Sequence, residues 1–125
     1  MMLVVSGLLK EALIKKEIIG MKHFMCTHSY LSGDAKENIT NQIRNATDRE
    51  FLEMNSSENA RVLQHWAGKD EFFFCHWEAQ SEDDIHEVLA KIGADKFIIT
   101  LANEMQRYVT SYDIKDQKLV IPEDT

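Results

Sequence analysis

The hydrophobic pattern changes period most sharply at Ser81. Before it, Phe72 to Ala79 (F-F-F-C-H-W-E-A) is rich in aromatics and free of turn formers, which predicts a strand buried on both faces. After it, Glu82, Asp83 and Asp84 supply acid for a first helical turn, and Ile85, Val88, Leu89 and Ile92 recur at helical spacing up to Gly93. Ser81 with Asp84 resembles a capping box, and Gly93 is a natural stop. A strand with two apolar faces needs cover on both. One layer can be the chain's own helices; the other must come from elsewhere.

The same reading extends along the chain. Met21 to Tyr30 is nearly uncharged and predicts a first, central strand, broken by Ser32-Gly33. Asp34 with Glu37, and Thr47 with Glu50, predict helices over 34–46 and 48–54. Arg61 to Ala67 predicts a second strand, joined through Gly68-Lys69-Asp70 to the third as a hairpin with Trp66 across from Phe72. Lys96 to Leu101 then leads into a fourth strand near Glu104 to Tyr112, followed by a polar tail with the single proline, Pro122. Residues 1–20 carry a Leu/Ile stripe interrupted by Lys and Glu and ended by Gly20. That pattern predicts an amphipathic helix of about four turns, docked on the sheet or on a second subunit. The expected division is thus a helix over 1–20, a domain over 21–115 and a tail over 116–125.

Composition narrows the function classes. At 125 residues with 44% hydrophobic and 28% charged positions, the chain is long enough for one domain with its own core. A net charge of −7 and a pI near 5.2 argue against nucleic acid or an anionic membrane as partner. No apolar run is long enough to span a bilayer, and the N-terminal order of basic and apolar residues is wrong for a signal peptide. Cys26 and Cys75 sit in apolar runs and read as small buried hydrophobes in a reducing, cytoplasmic setting. The five glycines occur singly, so no phosphate-cradling loop exists, and no cofactor is expected.

Strand, helix, hairpin, helix, strand is the β-α-β-β-α-β plan of the ferredoxin-like α+β fold. The run Phe74-Cys75-His76-Trp77-Glu78-Ala79 with its acid-rich helix start resembles the third strand of small bacterial proteins in the dimeric α/β-barrel superfamily. Met21-Lys22-His23-Phe24-Met25 and Gln106-Arg107-Tyr108 are similar to their first and last strands. The resemblance covers about residues 21–112. It implies a homodimer whose antiparallel sheets face each other as a barrel, which would supply the missing cover for Phe72 to Ala79. It does not single out a function, because this superfold hosts monooxygenases, isomerases, peroxidases, metal-binding proteins and others.

Candidate chemistry follows from where the strands meet. Late first strand (His28, Tyr30), late second strand (Trp66), early third strand (Phe72, Phe74) and early fourth strand (Met105, Arg107) converge on one end of the expected sheet. If they share the barrel face, they form an apolar ligand pocket with His28 exchanging protons near neutral pH and Arg107 pairing an anionic head group. Which face each occupies depends on register, which a single sequence leaves open. The antiparallel first and third strands also bring His23 beside His76. Three readings follow. The first is a homodimer enclosing a small apolar or amphipathic, fatty-acid-like molecule. The second is a cofactor-independent monooxygenase or isomerase with His28 and Tyr30 nearest the chemistry. The third is a metal-binding protein using His23 and His76. No G-x-S-x-G context or helix-capped cysteine supports nucleophilic catalysis.

Overall fold

The computed structural model describes residues 21–122; the helix expected over 1–20 lies outside the described residues. Four strands, β1 (Lys22–Tyr30), β2 (Ala60–Ala67), β3 (Phe72–Ala79) and β4 (Ile98–Met105), form one sheet in the order β2-β3-β1-β4. Every neighbouring pair is antiparallel. Helices α1 (Gly33–Ile43), α2 (Asp48–Met54) and α3 (Glu82–Lys91) complete an α+β fold around an open sheet. The sheet of one chain does not close into a barrel.

Local chemistry explains where each helix begins. Ser32, two residues before the expected Asp34–Glu37 box, caps α1 by accepting from the Ala35 amide at 3.0 Å. A serine hydroxyl in extended backbone satisfies a first-turn N–H and leaves Asp34 free to complement the dipole. Thr47 and Glu50 form the full reciprocal capping box of α2. Ser81 caps α3, whose first turn carries three acids. Gly93, at φ 77°, then turns the chain in the left-handed region, which a side chain would disfavour.

That turn also relocates the last strand. A 3-10 turn over Ala94–Lys96 feeds straight into the sheet, and the Leu31 amide donates to the Phe97 carbonyl at 2.9 Å. β4 therefore runs from Ile98 to Met105, not from Glu104 to Tyr112. The expected hairpin register shifts too: Trp66 faces Phe74, because Leu63 is a surplus residue between the pairs Val62↔Trp77 and Gln64↔His76.

The core lies between the sheet and the helices. Phe24, Cys26, Val62, Cys75, Trp77 and Ile98 meet Ile85, Val88 and Leu89 of α3. Each large aliphatic side chain buried there contributes on the order of 1.5–3 kcal/mol before entropy is subtracted. The opposite face carries Met25, Phe72, Phe74, Ile99, Leu101, Met105 and Trp66, all exposed. Burial of β3 on both sides is therefore incomplete within one chain. The exception on that face is Glu78, whose side chain is 3% exposed and is held by Arg61 across the β2–β3 pair. Removing the guanidinium strands a buried carboxylate, which costs about 3–5 kcal/mol when fully enclosed. Arg61 is itself 43% exposed, so water can enter the gap and the loss for Arg61→Ala is expected nearer ~2 kcal/mol. Glu78→Gln should lose less. Urea midpoints of both variants check this; equal midpoints for Arg61→Ala and the parent chain would contradict it.

Candidate functional site

Strand alternation sends Phe24, Cys26, His28 and Tyr30 of β1 toward the helices, in phase with Phe73, Cys75 and Trp77 of β3. Near the C-terminal end of β1 the helices do not fill this layer. A cavity of about 350 Å³ remains between α1, α2 and the sheet. Ile39, Ile43, Phe51, Phe73, Leu89 and Phe97 make its apolar wall, and His28, Tyr30, Lys36 and His65 supply polar groups. A mainly apolar hollow with a few polar groups is the usual form of a small-molecule site.

The aromatic lining is continuous. His28 stacks on Phe73 with ring centres 4.7 Å apart, Tyr30 packs on Phe73 at 5.4 Å, and His65 bridges Phe73 and Phe51 at 5.3 and 4.6 Å. At the mouth, Lys36 Nζ donates to the carbonyls of Lys69 and Asp70 at 3.0 and 3.2 Å. This pins α1 to the β2–β3 turn. The same ammonium sits 5.5 Å from the Tyr30 ring centre.

Two polar atoms stand out. His28 is 1% exposed; its Nδ1 lies 2.7 Å from Thr100 Oγ1, and its Nε2 is buried with no hydrogen-bond partner among the described residues. Nε1 of Trp77, another lining residue, is likewise buried without a partner among the described residues. Native interiors rarely leave such groups unmatched, because each costs about 1–3 kcal/mol. In either imidazole tautomer Nε2 still lacks a partner.

Burial, aided by the neighbouring His65 and His86, lowers the pKa of His28 to about 4. The ring is therefore neutral at physiological pH, and the proton exchange near neutrality expected from the sequence does not fit it. Burial pushes the Cys75 and Cys26 thiols up to about 12. His65 Nδ1 approaches Cys75 Sγ at 3.2 Å, but with so high a thiol pKa the contact joins neutral groups rather than an activated thiolate. Burial also raises Tyr30 and lowers His65.

The residues singled out from sequence separate into three places. His28 and Tyr30 line the cavity. Trp66, Phe72 and Phe74 share the opposite, open face, with Phe72 and Phe74 in ring contact at 5.6 Å. Met105 is on that open face too, but it pairs with His23 at the far end of β1, because β4 ends where it was expected to begin. Arg107 lies beyond the sheet and donates to the Val120 carbonyl at 2.7 Å. The cation near the cavity is Lys36 instead. His23 and His76 do meet, with Nδ1 and Nε2 3.0 Å apart. Thr100, Phe51 and Phe73 escaped the sequence reading. The apolar phase Phe24, Cys26, His28 would have pointed His28 inward, whereas Thr100 could be found only through the β1–β4 pairing.

Comparison with known protein families, curated proteins and solved structures returned no match. Among the described residues, no helix is long and apolar enough to cross a membrane.

The pH dependence of stability follows from His28. Its folded-state pKa of about 4 lies below the ordinary 6.5, so the unfolded chain takes up the proton first as pH falls. Stability is full above about pH 6.5 and declines down to about pH 4, by up to ~1.4 kcal/mol per unit. His28→Leu should flatten this slope relative to the parent chain, leaving the contributions of His65, His76 and the carboxylates. Urea titrations at several pH values across that window measure it, and identical slopes would rule the account out.

Proposed function

We propose that this chain is a homodimeric ferredoxin-like domain that binds a small, mainly apolar molecule with a polar end, such as a fatty acid, in the helix–sheet cavity. The observation that carries the reading is an apolar hollow lined by His28 and Trp77, each of which keeps one buried polar atom without a partner among the described residues. A ligand with one polar end can satisfy one of them after a small shift of the ring, while its body packs on Phe51, Phe73 and Ile39. The site proposed here is the helix-covered face rather than the barrel face, since His28 and Tyr30 line that cavity. The low pKa of His28 favours binding over proton abstraction, so a monooxygenase or isomerase on the same cavity is the second reading.

The ferredoxin-like assignment is supported by the strand order β2-β3-β1-β4 with antiparallel neighbours throughout. The homodimer is supported by the open face, where seven large apolar side chains lie exposed, more than a soluble monomer usually leaves in one patch. A second copy applying the same face would cover it isologously.

Two experiments test the reading. Native mass spectrometry of gently purified protein should show a bound amphiphile, and decanoate should titrate into the emptied protein. Filling the cavity with Ile43→Trp should abolish binding, and His28→Leu should weaken it about tenfold, the scale of one lost buried hydrogen bond. Unchanged affinity in both variants would remove the cavity from consideration. For the dimer, Phe74→Glu is informative because Phe74 points away from the helix-side core. The variant should stay folded by circular dichroism and sediment as a monomer. A parent chain that is already monomeric at micromolar concentration would refute the dimer.

A further inference from the structure

The open face is uneven. Leu101, Phe74, Trp66, Ile99 and Phe72 occupy one end, toward the C-terminus of β1. At the other end the pairings bring together four groups of a different kind. His23 pairs with Met105 on β4, and Met25 pairs with His76 on β3. His23 and Met25 are two residues apart on one strand, so all four share the face.

We propose that His23, His76, Met25 and Met105 form a binding site for a monovalent copper ion. The two imidazoles are already brought together: His23 Nδ1 and His76 Nε2 are 3.0 Å apart, with ring centres at 5.1 Å and planes tilted by 43°. Two nitrogens bound at about 2.0–2.1 Å to one ion stand about 2.9 Å apart at a right angle and about 3.3 Å apart at a tetrahedral angle. The observed spacing lies between these values. Without an ion the two nitrogens share one hydrogen bond; binding both to copper requires the donor ring to switch tautomer, its proton moving to the other ring nitrogen.

The neighbours select the metal. Directly facing side chains in a sheet have Cβ atoms about 4.5–5.5 Å apart, within the swing of a flexible methionine. Met25 and Met105 are 36% and 45% exposed, which leaves each side chain room to swing. The nearest carboxylate on the face, Glu78, is committed to Arg61. Among the described residues no group of three or more His, Cys, Asp or Glu converges to hold an ion, so a plain zinc centre within one chain lacks ligands. Two imidazoles with two thioethers are a neutral, soft set, which suits Cu(I) over harder ions. The Tyr108 ring, 6.2 Å from that of His76, borders the site. The site needs only one chain and lies across the sheet from the cavity, so it does not rest on the ligand reading; it shares the open face with the proposed homodimer contact, and a second copy seated there would cover it.

The test is an anaerobic titration of the full-length protein, kept reduced with ascorbate, against the coloured Cu(I) complex of bicinchoninate. One Cu(I) per chain should transfer. Met25→Leu and Met105→Leu, which preserve volume, should each weaken binding tenfold or more, and His23→Ala with His76→Ala together should abolish it. Circular dichroism should be unchanged in the leucine variants. Failure of copper to transfer would overturn the proposal. So would binding that survives loss of both histidines, since the buried thiols Cys26 and Cys75 on the other face would then be the ligands. Leucine variants that bind like the parent chain would also overturn it, by reducing the site to a histidine pair.

Discussion

Eight residue pairs join β1 to β3, from Lys22↔Ala79 to Ser29↔Phe72, and each pair commits both side chains to the same face of the sheet. These are the two central strands, so β2 and β4 inherit the division through their own pairings. Everything of chemical interest follows from that parity. Even-numbered residues of β1 enter the helix-side layer, where His28 is buried and neutral. Odd-numbered residues enter the open layer, where His23 and Met25 remain reachable. A slip of one residue would exchange the two sets and put histidine and methionine where phenylalanine and cysteine now pack.

Elements whose signals are local were readable without a structure. β3 spans Phe72–Ala79 as its composition indicates, and the Thr47–Glu50 box starts α2 because both partners lie within one turn. Features set by pairing between distant segments were not readable. The fourth strand is expected near Glu104 to Tyr112, whereas the chain enters the sheet earlier, at Ile98. What places it is the turn at Gly93 and the bond from Leu31 to Phe97. The error carried Met105 and Arg107 to the wrong end of the sheet. The unmatched atoms of His28 and Trp77 depend on how far α1 and α2 stand off the sheet, and no periodicity encodes that distance.

Charge is distributed in keeping with these layers. The chain carries a net charge of −7, which would oppose self-association if the acids were spread evenly. On the open face the acid Glu78 is matched by Arg61, and the remaining positions are apolar, amide, hydroxyl or imidazole. Acids such as Glu82, Asp83 and Asp84 serve helix termini away from it. Two copies could therefore approach face to face without the repulsion that the overall charge suggests.

The bulge at Leu63 has a consequence for volume. Val62 points to the helix side, and strict alternation from there would send Gln64 and Trp66 inward as well. The surplus residue reverses the phase, so His65 and Ala67 turn inward and Trp66 outward. An indole in place of those smaller groups would occupy much of the space beside Phe51 and Phe73. The hollow thus depends on Leu63 staying out of register: deleting it would leave Trp66 outward, whereas admitting it to regular pairing would swing the indole into the chamber.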